Sequence, residues 1–479
     1  MGLKPGRISP AEWWIPGSTE DTTIPGVCEV KEDGRILARL HRNPSIPAGQ
    51  ASFLFAPLPK IPILHGSVFG TEVTLVDCRT GGTRSGLSPI ADIELRPWFG
   101  VEGQLLSEEE LNSSKAEVRL RGQREWAAWS AFAYEIDGSH IRPRSLTYEP
   151  PPARTATIPG GSVTIKDDSI LWPNGPDAQL KSQCSFVIDL ESPVPLRDFL
   201  RTYTLPLEVL LSLATSSMAR IESLYIAANQ PGTYAGSEDQ PEWLKVWFGY
   251  HGARDSPREI APEDILFELS DYNWEELGGR IFTIANEWRY IIDQWIALNN
   301  PRYHWRVPRF LTTVTVLEGV DRLLNDETQS DRAVAYERIA NDVKLALETV
   351  PGLNSKRRAR IRKLIADSYE PSLEDRLARL GAKVASGMSA LNLDEDWPAR
   401  VAKLRNQVGH GLPAARALSD DNRAAQAGEA ILIHLLECLF LSELGLDDQR
   451  IAKVARRRCR MAWRSTILTE GYDKLPKGD

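Results

Sequence analysis

The sequence predicts an α+β fold in which an antiparallel, β-rich N-terminal domain of sandwich or barrel type precedes an all-α helical bundle. Three observations predict it. Up to about residue 190, short β-branched runs alternate with Gly, Pro and Asp signals and no helix intervenes. From residue 196 the apolar residues recur at helical spacing, and from 273 onward amphipathic segments follow one another across short Gly, Pro and Asn breaks. At 479 residues, 42% hydrophobic and 25% charged, the chain is long and apolar enough for several cores and lies outside the disordered and disulfide-stapled classes.

The first predicted hairpin spans residues 27–40 around Asp33-Gly34, a dipeptide suited to a tight turn. A second pairs residues 61–66 with 72–78 across a turn at Val68-Phe69-Gly70-Thr71. Further strands are expected at 91–95, 116–120, 162–166, 182–190 and 243–250. Residues 196–228 carry a helical period from Phe199 through Ile221 and Leu224, which Pro206 must kink or divide. One long amphipathic segment is expected over 273–300, then helices over 310–324, 331–350, 355–367, 373–384, 396–408 and 420–444. These place a β-rich domain at 1–190, a mixed region packed between domains at 191–300, and a helical domain at 301–479. Six tryptophans, Trp243, Trp247, Trp274, Trp288, Trp295 and Trp305, fall at the join and are expected to pack as an interdomain layer.

Cys28, Cys78, Cys184, Cys438 and Cys459 lie far apart with no C-x-x-C pair, a pattern that suits a reducing cytoplasm and offers no zinc ligand set. No apolar leader follows Met1, and the most apolar run, 431–446, is interrupted by His434, Glu437 and Glu443. It reads as a buried helix, so no membrane partner is expected. The net charge of -8 is unevenly spread: residues 301–479 hold 30 of the 57 Lys+Arg but 25 of the 65 Asp+Glu. Within that basic part, Lys356, Arg357, Arg358 and Arg360 form one cluster and Arg456, Arg457, Arg458 and Arg460 another, either phosphate-attracting or simply solvated helix faces.

No phosphate-binding glycine loop, dinucleotide fingerprint, H-E-x-x-H or G-x-S-x-G string occurs, so neither cofactor nor metal is expected. Of the seven histidines, His41, His65, His140, His251 and His304 sit beside turn or loop residues, and His434 lies on the apolar run as a core histidine. His410 differs: it ends Lys403-Leu404-Arg405-Asn406-Gln407-Val408-Gly409-His410, a helix end with Arg405 five positions earlier. An imidazole can move a proton near neutral pH, and a guanidinium forks onto phosphate oxygens, which suits attack of a ribose 2′-hydroxyl on its own phosphodiester without metal. In an unbroken helix, five residues turn by about 500°, leaving the two side chains about 140° apart. A break at Gly409 is expected to turn His410 back. His410 supplies one proton-transfer group per chain, which further suggests a two-fold dimer that brings two copies of the motif into one cleft. Asn406 either holds the phosphate or caps the helix end.

Arg405, Asn406 and His410 resemble the Arg-x4-6-His motif of the HEPN superfamily, helical bundles whose members are metal-independent endoribonucleases acting as dimers. On that resemblance Glu318, on the first bundle helix, is the candidate for the family's acidic residue; by their charge, Lys403, Lys356, Arg357, Arg358 and Arg360 are candidate RNA contacts. The N-terminal half is similar to that of ApeA-like bacterial anti-phage proteins through Trp14-Ile15-Pro16-Gly17, Pro25-Gly26-Val27, Asp33-Gly34-Arg35-Ile36, Ile63-Leu64-His65-Gly66, Thr74-Leu75-Val76-Asp77-Cys78 and Pro195-Leu196-Arg197-Asp198-Phe199. The resemblance implies abortive-infection defence in the bacterial cytoplasm, with RNA (tRNA among the possibilities) as substrate, a phage-derived trigger, and a homodimer or larger homo-oligomer. The other readings are a non-catalytic RNA- or protein-binding bundle joined to a ligand-sensing β domain, and a β-rich half that is itself the main activity.

Overall fold

A computed structural model describes residues 2–17, 23–41, 60–84, 92–136, 143–174, 177–215, 217–228, 242–248, 260–299, 305–325, 341–367, 371–409, 422–460 and 462–477. The chain divides into two compact units, Met1–Thr283 and Ile284–Asp479.

The first unit is β-rich. Strands β1 (Arg7–Trp14), β2 (Ile24–Val30), β3 (Ile36–Leu40), β4 (Ile61–Val68), β5 (Thr71–Arg84) and β6 (Asp92–Arg96) close an antiparallel six-strand barrel in the order β5-β4-β1-β2-β3-β6, with β6 pairing back onto β5. Both predicted hairpins are there. Gly34 takes φ +82° in the β2–β3 turn, where Lys31 N–H donates to the Arg35 carbonyl at 2.8 Å. Phe69 and Gly70, with φ 51° and 78°, make the two-residue loop that sets Val68 opposite Thr71. Trp13, Leu40, Leu64 and Leu75 fill the barrel and are completely buried; each such side chain contributes about 1.5–3 kcal/mol by leaving water. Gly66 makes room for Trp13, since a Cβ there would lie 2.4 Å from the indole ring.

From β5 the sheet continues through β7 (Phe99–Glu102), β17 (Trp243–Phe248), β16 (Ile221–Ala227), β8 (Asn112–Leu120), β15 (Cys184–Pro195), β12 (Gly161–Asp167) and β11 (Arg154–Ile158). Two small hairpins, β9 (Phe132–Ile136) with β10 (Pro143–Tyr148) and β13 (Ile170–Asn174) with β14 (Asp177–Lys181), stand apart from it. Of the helices in this unit, α1 (Gln123–Ala127) places Trp126 against Phe186 and Trp274, whose rings stack at 5.6 Å. α2 (Leu196–Phe199) runs through a π-helical turn, Leu200–Thr204, into α3 (Leu205–Ala214), so Pro206 does divide the run. The expected helical period to residue 228 is corrected: the chain leaves the helix at Thr215, and Ile221–Ala227 is a strand. Leu224 and Ile226 are both buried, a spacing of two that serves a sheet face and not a helix stripe. α4 (Trp274–Glu287) lies along edge strand β11, where Gly278 keeps contact possible because a Cβ would meet that of Ala156 at 2.5 Å.

The segment expected as one helix over 273–300 is two, α4 and α5 (Arg289–Leu298), separated at Trp288, where ψ rises to 22°. The second unit is otherwise helical: α6 (Arg306–Leu324), a helical stretch over 341–349, α7 (Ser355–Asp367), α8 (Leu373–Lys383), α9 (Ala385–Met388), α10 (Trp397–Gly409), α11 (Arg423–Glu443), α12 (Asp448–Cys459) and α13 (Ala462–Gly471). Of the helix expected over 331–350, residues 331–340 lie outside the described residues. α11 is the central helix. By length and composition it is apolar enough to cross a membrane, yet 94% of its apolar window is buried inside the protein. Trp288 and Trp295 pack on Phe440 with ring centres 5.1 and 5.7 Å away. The single tryptophan layer is therefore corrected: Trp247 and Trp274 are buried within the first unit, Trp288 and Trp295 within the second, while Trp243 and Trp305 are exposed. His434 is a core histidine as expected, its Nε2 3.1 Å from the Gly387 carbonyl.

Candidate active site

Helix α10 carries the motif. Pro398 fits its first turn, where no intrahelical N–H partner is lost, and Trp397, Val401 and Leu404 are buried against α6, α8 and α11. One close approach is at Gly428 of α11, whose absent side chain admits the Phe310 ring of α6 and the Leu404 methyl of α10; a Cβ there would sit 2.8 and 3.3 Å from them. Arg405, next after Leu404, is half-buried, and its Nη1 donates to the Asn406 Oδ1 at 3.2 Å. Asn406 is exposed and Lys403 half-buried. The amide thus engages the guanidinium through one of its terminal nitrogens.

Gly409 is the last helical residue of α10. It is exposed, its φ is not positive, and a Cβ would meet nothing within 4 Å. Gly409 is thus itself helical, and the expected turn of His410 back towards Arg405 falls on residues outside those described. His410 lies outside the described residues, as do His140, His251 and His304.

Glu318 is half-buried on α6, and among the described residues no hydrogen bond or ion pair joins it to Arg405 or Asn406. The buried carboxylate of that helix is Asp321, one turn further on. Arg379 of α8 forks onto it (Nε 3.0 Å, Nη2 2.5 Å), Arg376 lies 3.6 Å away, and Asn325 donates at 3.0 Å. A second buried pair joins Arg309 of α6 to Glu429 of α11, Nε and Nη2 reaching Oε1 at 2.8 and 2.5 Å. It flanks Phe310 and Gly428, where α10 docks. The sequence reading missed both; the Arg376 and Arg379 spacing of three on α8 is the one visible signal for the first. On α7, Lys356, Arg357 and Arg360 are exposed and Arg358 half-buried, with the Asn354 side chain accepting from Arg357 N–H at 2.9 Å. They stand on a different helix from Arg405. The other basic cluster is only partly a surface: Arg458 is buried and pairs with Glu437 at 2.6 Å. Among the described residues no group of three or more His, Cys, Asp or Glu side chains is placed to hold a metal ion.

The architecture defines a class: a β-rich, barrel-containing N-terminal unit followed by a helical unit with an arginine presented near the end of an inner-packed helix. The model of the ApeA N-terminal domain 1 matches residues 11–277, and that of the Apea-like HEPN domain matches residues 311–450, the stretch that contains α10. The chain belongs to the ApeA-like family with a C-terminal HEPN domain, a family associated with anti-phage defence. HEPN domains generally act as RNases and dimerise. No curated protein and no solved structure matches the chain.

Proposed function

We propose that the protein is a metal-independent endoribonuclease of an abortive-infection anti-phage system, acting in the bacterial cytoplasm. Two protomers pair their α10 helices so that Arg405 and His410 from either side enclose one scissile phosphate of an RNA, tRNA included. Arg405 neutralises charge developing on the phosphorane, Asn406 orients Arg405, and the two His410 side chains serve as proton acceptor and donor for attack by the 2′-hydroxyl. Lys403 and the α7 cations Lys356, Arg357, Arg358 and Arg360 hold the RNA backbone, and Glu318 is an additional acidic candidate. The β-rich unit, which carries a cleft of about 180 Å³ lined by Glu72, Gln104, Glu110 and Asn112 among others, senses the phage-derived trigger and restrains the nuclease.

The observation that carries this reading is Arg405 engaged by Asn406 on the helix that ends one residue before His410, inside the HEPN-matched region. Bacteria expressing the protein and challenged with phage test it. Arg405→Ala and His410→Ala should each abolish protection at normal protein level. If His410→Ala protects fully while charge reversal across Lys356, Arg357 and Arg360 destroys protection, the protein is a binding module and the catalytic reading fails.

A further inference from the structure

Arg400 lies on α10, five residues before Arg405, and points the opposite way, into the protein. Its guanidinium is almost completely buried. Nη1 donates to the Asp394 Oδ2 at 3.1 Å, and Nη2 donates to the carbonyls of Tyr472 at 2.8 Å and Leu475 at 3.2 Å. Its face lies 4.2 Å from the centre of the Tyr472 ring. The Tyr472 hydroxyl in turn donates to the other Asp394 oxygen, which closes a ring of contacts from the helix to its own leading loop and to the C-terminal segment. That segment is also held at the residue just before Tyr472. Gly471 abuts the first turns of α11, since a Cβ there would lie 2.5 Å from the Arg423 carbonyl and 2.9 Å from the Ala427 methyl, and Leu475 is buried. The segment's own contact residues, Gly471, Tyr472 and Leu475, lie beyond residue 450, where the HEPN-matched region ends.

A guanidinium that donates to two carbonyls and a carboxylate while an aromatic ring covers its face is fixed in position and orientation. Arg400 and Arg405 share one rigid helix, about 7.5 Å apart along its axis. Whatever fixes the first sets the rotation and height of the second. We propose that the C-terminal segment 462–477 is a brace for the Arg405 helix, and that Arg400 and Tyr472 are positioning residues for the reaction; this rests on the nuclease reading above. The placement of a transition-state charge contact tolerates little error, so a loosened brace acts on turnover more than on RNA binding.

The test is steady-state cleavage of a short RNA by the full chain. Tyr472→Ala and Arg400→Lys should lower kcat at least tenfold with KM within twofold. Tyr472→Phe, which keeps the ring over the guanidinium, should recover most of the loss. In an Arg405→Lys background, Tyr472→Ala should cost little more, because its effect passes through the arginine. Wild-type kcat in Tyr472→Ala, or an equal further loss in the Arg405→Lys background, overturns the proposal. If Tyr472→Ala melts at the assay temperature, Arg400→Lys and its Arg405→Lys double variant give the same reading. Should the wild-type protein cleave no RNA, the nuclease reading falls on its own, and hydrogen exchange over 397–409 still decides the brace: protection unchanged by Tyr472→Ala would end it.

Discussion

Replacing Glu429 by leucine should severely weaken the helical unit. Glu429 and Arg309 have side chains only 6% and 13% accessible, so water screens their attraction little and replaces it poorly. Removing one member of a buried ion pair costs about 3–5 kcal/mol, mostly for the charge left behind. The lower end is expected here, about 3 kcal/mol, because among the described residues only Oε1 of Glu429 is engaged and the buried Oε2 meets no hydrogen-bond donor. Turning both residues apolar, Arg309→Met with Glu429→Leu, removes both charges and should return the stability to within about 1 kcal/mol of wild type. Urea unfolding followed by tryptophan fluorescence measures this, since Trp288 and Trp295 are in the core of the same unit. A single-variant cost below about 1 kcal/mol, the range of a surface pair, would refute the view that this contact fastens α6 to α11 beside α10.

Other consequences are separately measurable. Gly66→Ala should destabilise the barrel by about 1–3 kcal/mol in the same unfolding assay, because its methyl would have to displace the buried Trp13 ring. Burial pushes the Cys28 and Cys78 thiols up to about 12, so at pH 8 both should resist iodoacetamide in the folded protein, and mass spectrometry should find the half-buried Cys459 alkylated first. Tyr472 is raised above its ordinary value by burial and by its hydrogen bond to Asp394; burial opposes ionisation of Asp394, but that phenol together with Asp396 and Arg400 lowers its pKa. The phenol's stabilising contribution is complete below about pH 10 and is lost as pH rises through the higher folded value. An alkaline melting series should therefore show a wild-type loss that Tyr472→Phe lacks.

Much of the fold could be read from local chemistry. Gly34 and Gly70 mark their turns because both take a positive φ that suits few other residues, and Ser355–Asp367 is bounded by the turn residues that precede it. The strand at 221–227 was obscured because Ile221 and Leu224 are also three apart, which imitates a helix; only its pairing with β8 and β17 decides the matter. The division of 273–300 at Trp288 follows from the Phe440 contact, which no local pattern contains. At the site, Arg405 and Asn406 were legible as neighbours on one helix. The supports around them were not, since Arg309 and Glu429 are 120 residues apart and Arg400 and Tyr472 are 72 apart. Glu318 was singled out by its place on α6, whereas the buried carboxylate there is Asp321, recognisable only once α8 brings its arginines alongside.

The chemistry at the Arg405 helix is decided most directly by the ends it leaves on RNA. Purified full-length protein, incubated with total RNA in EDTA, should produce 2′,3′-cyclic phosphate ends, and Arg405→Ala and His410→Ala should each lose that activity while keeping the wild-type circular dichroism spectrum. Cleavage that needs an added divalent metal, or that survives in either folded variant, would contradict the account.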